Sequence, residues 1–298
     1  MKKYGTTSVV TIKNGKAVKK VKLNEMHNLE SALCEIYFMN LLNDSHFIKA
    51  DEITYKDMTL QIIMKEYRCL SDVLKKKEKI DVDKVVTGLI EGLCYLHWNG
   101  VYHGDIKTGN IVIDKNDNPI YIDLGTLSTC EKYLGLDSEI YRPEKPSSIE
   151  YNDVYQLGII ILDVITGGKI EEVIDDKNFD MYSTCEKLIN DYSDLKYMDV
   201  VKLMITKKNE TDIYSIAQKI NMKMIVKRIK FPVKDIHERM KKYDIKEKAK
   251  ELASSLYEKY EYHLSLFLGC VIHDRGKSDK YFESSERDDR IDYLINMI

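Results

Sequence analysis

The sequence predicts an α+β chain in two unequal parts, a small strand-rich start and a larger helical remainder. Three observations carry this reading: a hairpin signal at Asn14-Gly15, a change of character near residue 66, and helical periodicity through much of the chain beyond it. With 298 residues, 44% of them hydrophobic and 32% charged, the chain can bury a core and is not of disordered composition.

The hairpin comes first. Ser8 to Lys13 and Lys16 to Val21 read as strands flanking Asn14-Gly15, two residues that both tolerate the positive φ of a tight hairpin. A two-residue loop sets Lys13 opposite Lys16, Ile12 opposite Ala17 and Val10 opposite Lys19, so Val10, Ala17 and Lys19 share one face. Residues 28–43 carry Leu29, Leu33, Ile36 and Met39 at helical spacing, with Asn28 as the expected N-cap. Thr59 to Met64 is a short apolar strand, and the polar Lys65-Glu66-Tyr67-Arg68 ends the first part. Helical patterns then occupy 70–78, 83–98, 151–166 and much of 185–298. Between them, Gly109 to Asp114 and Pro119 to Asp123 form a second short hairpin around Lys115-Asn116-Asp117-Asn118.

Charge and composition exclude several classes of function. A net charge of −3 argues against general nucleic-acid binding, which needs a basic surface to displace counterions. The exception is residues 223–251, with eleven Lys/Arg against five Asp/Glu. This stretch reads either as a solvated helix face or as a docking surface for an acidic partner or membrane headgroups. Six scattered cysteines with no CxxC pair fit a reducing compartment, and MKKYGTTSVV has no apolar core of a signal peptide. The longest apolar run, Leu157 to Leu162, is broken by Asp163 and is too short to span a bilayer. The expectation is a cytoplasmic protein with no transmembrane segment.

The chemistry concentrates in YHGDIKTGNIVIDKNDNPIYIDLG. Phosphoryl transfer needs metal ligands, a cation on the phosphates and a carboxylate near the attacking hydroxyl. Asp105 is spaced to act as the base, Lys107 to contact a γ-phosphate, and Asn110 with Asp123 to hold Mg²⁺.

This stretch resembles the signature of eukaryotic-type serine/threonine protein kinases. HGDIKTGN resembles the catalytic loop HRDLKPEN, with Gly104 in place of the arginine, and Asp123-Leu124-Gly125 resembles DFG. AVKKVKL (17–23) resembles the strand carrying the ATP-binding lysine, here Lys19, and residues 32–49 resemble the helix whose glutamate pairs with it, here Glu35. Tyr141-Arg142-Pro143-Glu144 resembles the APE end of the activation segment, and Asp153 to Gly158 (DVYQLG) resembles the DxWxxG start of a central helix.

The resemblance implies a bilobal protein-kinase-like fold over a single domain, residues 1–298. Residues 1–66 would form the smaller lobe and 67–298 the larger, of which 169–298 is a divergent helical region. It implies ATP and Mg²⁺ as cofactors and a protein hydroxyl as acceptor. Val10, Ala17 and Val112 would sandwich the adenine, Glu66 and Tyr67 would meet it through backbone groups, and Gly5 is what remains of the glycine-rich loop. Lys107, two residues after Asp105, matches the serine/threonine rather than the tyrosine pattern. Gly104 implies that control through a phosphorylated activation-loop residue is absent, although Ser128, Thr129 and Ser138 are hydroxyls in that segment. Two other readings use the same residues. A pseudokinase scaffold would explain the eroded glycine-rich loop, and a small-molecule phosphotransferase of related fold could carry HGD but usually lacks an APE-like segment.

Overall fold

The computed structural model describes residues 2–4, 8–23, 26–56, 59–128, 137–206 and 211–223. Within them the first part is a five-stranded antiparallel sheet with one helix across it. Its strands are β1 (Lys2–Tyr4), β2 (Ser8–Lys13), β3 (Lys16–Lys22), β4 (Ala50–Lys56) and β5 (Thr59–Lys65), in the order β1-β2-β3-β5-β4.

The β2–β3 hairpin forms as its turn residues dictate. Asn14 and Gly15 sit at φ 53° and 73°, and the register pairs Lys13 with Lys16, Ile12 with Ala17 and Val10 with Lys19. Strand β5 alternates, burying Leu60, Ile62 and Met64, which is the period-2 pattern of a sheet with one covered face. Strand β4 was not legible in the sequence. In ADEITYK Ile53 is buried while its neighbours Asp51, Glu52 and Thr54 stay exposed, as suits an edge strand.

Helix α1 (Met26–Leu41) lies on the sheet and buries Ala32, Cys34, Ile36, Phe38 and Met39. Its start corrects one expectation. Asn28 is not the N-cap but lies inside the first turn, and its amide Nδ2 donates to the Lys22 carbonyl at 3.0 Å. The residue therefore ties the helix back to the end of β3 instead of satisfying the helix's own first amides. At the other end, Lys49 donates its ammonium to the Met39 and Leu42 carbonyls and takes up groups that the helix leaves unpaired.

The second part opens with β6 (Arg68–Cys69), paired to the hairpin β7 (Ile111–Ile113) and β8 (Pro119–Tyr121). Among the described residues its α-helices are α2 (Leu70–Lys75), α3 (Val82–Trp98), α4 (Ile149–Ile165), α5 (Met181–Asp191), α6 (Met198–Thr206) and α7 (Ile213–Lys219). The predicted helix 70–78 stops at Lys75, because Lys77 turns the chain at φ 53°. Helices α3 and α4 have side-chain caps, Asp81 accepting from Lys84 N and Ser148 from Tyr151 N.

Helix α4 is the pillar of this part. Every residue from Tyr151 to Val164 is buried, polar ones included, so its Asn152, Asp153, Gln156 and Asp163 must find partners inside the protein. Gly158 lets it approach α6, since a Cβ there would lie 2.8 Å from Met204 Cβ. Among the described residues no helix is long and apolar enough to cross a membrane. Of the basic stretch 223–251, all but Lys223 lies outside the described residues, as do Gly5 and Thr129.

Candidate active site

A cleft of about 850 Å³ opens between the sheet and the helical part. Val10, Ala17 and Lys19 line it from the sheet, Asn110, Val112 and Asp123 from the β7–β8 side, and Glu66 and Tyr67 from the connection. The shared face read from the hairpin register thus becomes one wall of the cavity. Glu66 has one group already engaged, since its N–H donates to the Gly15 carbonyl at 3.0 Å. Its carbonyl is the backbone group it can still offer.

Lys19 is the electrostatic centre. Its Nζ donates to Glu35 Oε2 of α1 and to Asp123 Oδ1, both at 2.7 Å. Burial works against the ammonium, but the Asp123 and Glu35 carboxylates outweigh it and hold the Lys19 pKa above its ordinary value. The Lys19 charge in turn holds the Asp123 carboxyl below the usual carboxylate range, while burial pushes Glu35 up. The two partners differ in setting: the Glu35 side chain is 2% exposed and that of Asp123 44%. Glu35 is a fixed internal counter-charge, whereas Asp123 faces the cleft.

Asp123 reaches that position through backbone conformation. It sits at φ 59°, a left-handed geometry that Asp tolerates better than most residues, at the entry to the short 3₁₀ turn Leu124–Thr126. Helix α1 packs directly on this turn. The Cys34 thiol donates to the Leu124 and Leu127 carbonyls, and a Cβ on Gly125 would meet Ser31 Oγ at 2.2 Å. Movement of α1, which carries Glu35, is thereby coupled to the turn that carries Asp123.

The loop 103–110 hangs from α4. Asp153, with no exposed surface, accepts from His103 N at 2.7 Å, Gly104 N at 2.8 Å and His97 Nε2 at 3.0 Å. Gln156 Oε1 accepts from Ile106 N at 2.8 Å. The glycine standing where the resembling family has arginine fits its own backbone: Gly104 has φ 81°, and a Cβ there would lie 3.1 Å from Thr126 O. His103 is fully buried against Tyr121, and that burial lowers its basicity, so it is a packing group here.

On this frame Asp105 is surrounded by donors. Its Oδ1 accepts from Ser138 N at 2.9 Å, and its Oδ2 from Lys107 Nζ at 2.6 Å and Asn110 Nδ2 at 3.1 Å. Lys107 Nζ also donates to Ser138 Oγ at 2.7 Å. Asp105 and Lys107 do not line the cleft themselves; Asn110, which does, donates to both the backbone and the side-chain oxygens of Asp105.

Asn110 spends its Nδ2 on Asp105, which leaves its amide oxygen as a metal donor, and Asp123 offers a carboxylate. Hard oxygen ligands with only one carboxylate suit Mg²⁺, which keeps several waters and shares phosphate oxygens. Among the described residues no group of three His, Cys, Asp or Glu side chains could hold a metal by itself. The donor set therefore fits a magnesium ion shared with a phosphate ligand.

The structure joins residues that sequence reasoning had kept apart. Ser138, read there only as one hydroxyl among several, touches both Asp105 and Lys107. Asp137 and Gln156 support it from behind. Gln156 could have been found from its place in DVYQLG, but nothing local marks Asp137.

Comparison with known proteins bears on the same region. A family model described as "Protein kinase domain" matches residues 3–263. The chain is 28% identical over 170 residues to "Probable serine/threonine-protein kinase samkA" of Dictyostelium discoideum, covering 51% of this chain and 26% of that protein. It is 33% identical over 107 residues to human "Receptor-interacting serine/threonine-protein kinase 1", covering 34% and 16%. It is 23% identical over 150 residues to "Fatty acyl-CoA synthetase and RNA processing-associated kinase 1" of Saccharomyces cerevisiae, covering 45% and 17%. The chain thus spans about a quarter or less of the length of these curated relatives.

Proposed function

Because the chain belongs to the protein kinase family, we propose that it transfers the γ-phosphate of Mg-ATP to a serine or threonine hydroxyl of a protein. The observation that carries this reading is the double ion pair of Lys19, which joins Glu35 on α1 and Asp123 beside the cleft at 2.7 Å each. A lysine held this way presents a fixed cation to the phosphates of a nucleotide whose base lies between Val10, Ala17 and Val112.

The remaining roles rest on position. Asp105 accepts the proton of the attacking hydroxyl, while its donors Ser138 N and Asn110 Nδ2 keep the carboxylate oriented. Lys107, 2.6 Å from Asp105, places positive charge beside the phosphoryl group as its bond to the ADP oxygen breaks and its bond to the acceptor oxygen forms. Mg²⁺ bound by Asn110 and Asp123 would neutralise phosphate charge. The position of Lys107 and the serine/threonine kinase names of several relatives favour Ser/Thr over Tyr acceptors.

The test is transfer from labelled ATP to protein acceptors and to the chain itself, followed by phosphoamino-acid analysis. Wild type should yield phosphoserine or phosphothreonine. Asp105→Ala should lower the rate by about 10²- to 10⁴-fold with nucleotide affinity little changed. Wild-type turnover in Asp105→Ala would remove Asp105 from the base role.

A further inference from the structure

Asp137 is a buried acid with a full set of partners and no part in the chemistry described so far. Its side chain has no exposed surface, and three side chains among the described residues, Arg142, Asn152 and Gln156, donate to its carboxylate. Arg142 Nε and Nη2 both reach Oδ1 at 3.0 Å, Asn152 Nδ2 reaches Oδ2 at 2.7 Å, and Gln156 Nε2 reaches Oδ2 at 3.2 Å. Arg142 Nη2 also donates to the Asp137 backbone carbonyl at 3.4 Å.

The place of this cluster matters more than its satisfaction. Residue 138 comes immediately after, and Ser138 holds Asp105 through its N–H and receives Lys107 on its hydroxyl. From the other side, the amide of Gln156 serves two segments at once. Its Nε2 donates to Asp137, and its Oε1 accepts from Ile106 N, the amide between Asp105 and Lys107. Asp137 and the loop 105–107 are thus fixed to the same side chain of α4, and Ser138 closes the ring between them.

We propose that Asp137 is a positioning residue for phosphoryl transfer: its carboxylate, clamped by Arg142, Asn152 and Gln156, seats Ser138 on Asp105 and Lys107. The clamp supplies its own anion, so the seat forms without an added phosphate. This inference rests on the reading of Asp105 as the base, but the clamp can be measured independently of transfer.

Asp137→Asn is the gentlest probe, since it keeps the volume and turns one acceptor oxygen into a donor facing the Asn152 and Gln156 amides. Its kcat should fall on the order of 10- to 100-fold with KM for ATP within about twofold. Asp137→Ala should behave alike, and its thermal melt and nucleotide binding report whether it is folded. In a cycle with Ser138→Ala, which removes the hydroxyl that Lys107 reaches but keeps the N–H that Asp105 accepts, the losses should be partly non-additive, since Asp137 acts on both contacts; a residue needed only for folding would give additive losses. Amide hydrogen exchange at Ile106 and Ser138 should quicken in Asp137→Asn whether or not wild type transfers phosphate. Quickened exchange with an inactive wild type would keep the clamp and refute the transfer reading. Unchanged exchange and unchanged kcat in a folded variant would overturn the clamp. Phosphatase-treated wild type should keep its kcat within about twofold; a loss of about tenfold or more would show that a phosphate sets the segment instead.

Discussion

At Lys19 one ammonium serves two carboxylates, and the two contacts are worth different things. The Glu35 contact is buried, so removing the cation leaves an uncompensated charge inside the protein. The Asp123 carboxylate is partly exposed, so its contact is more weakly felt than that of Glu35 and counts for less stability. Lys19→Met should therefore cost about 2–4 kcal/mol of unfolding free energy, read by urea titration, through Glu35 rather than Asp123. The pair also fixes a pH window. Asp123 is depressed, so its contribution is present above pH 3.8 and fades as pH falls through its lower folded value; Lys19 is raised, so its contribution persists beyond pH 10.5. Asp163 behaves in the opposite sense. Burial lifts its pKa to about 7, its Oδ2 has no partner, and folding binds a proton that the unfolded chain releases. Its stabilising effect is whole below pH 3.8, declines as pH rises, and is gone above about 7. Asp163→Asn, which keeps the acceptor for Ile170 N and Glu171 N, should raise the melting temperature by about 5 °C at pH 8 and hardly at pH 4.

Between elements, Gly125 and Gly158 mark close approaches. A Cβ at Gly125 would meet Ser31 Oγ at 2.2 Å and the Ser31 carbonyl at 3.0 Å, so α1 would have to retreat from the turn carrying Asp123. Gly125→Ala should cost about 1–3 kcal/mol by thermal melting and lower transfer as well, because Glu35 rides on the helix that moves. Gly158→Ala should cost a similar amount by pressing α4 from α6, while nucleotide affinity stays near wild type. The same elements show what a sequence can and cannot disclose. The β2–β3 register was legible because Asn14-Gly15 admits few turns, and that register put Val10, Ala17 and Lys19 on one face. Strand β4 was not, since charged Asp51 and Glu52 lie side by side before Ile53 and leave no clear alternation to read. Asn28 looked like a cap because such residues usually bond locally; instead it reached six residues back to β3. Asp105, Lys107, Asn110 and Asp123 stand out in the sequence because HGDIKTGN and Asp123-Leu124-Gly125 resemble two kinase motifs in the right order. The role of Ser138 arises from a chain return of 33 residues to Asp105, and that of Asp137 from contacts with α4, which no local pattern records.

For the molecule as a whole, the sheet brings Lys19 to the cleft and the helical part brings Asn110 and Asp123, with Asp105 held behind Asn110 by its side-chain amide. Asp123 touches both halves, bonded to Lys19 and carried by the turn beneath α1. The central question is whether that arrangement moves phosphate. The direct measurement is the initial rate of Mg²⁺-dependent transfer from labelled ATP to protein, wild type beside Asp123→Asn, with thermal melts showing both folded. Wild-type transfer to serine or threonine, lost by about 10²-fold or more in the variant, is the result expected of a metal-holding carboxylate. Equal rates in the two proteins, or no transfer from a wild type that binds nucleotide across a broad set of acceptors, would contradict it.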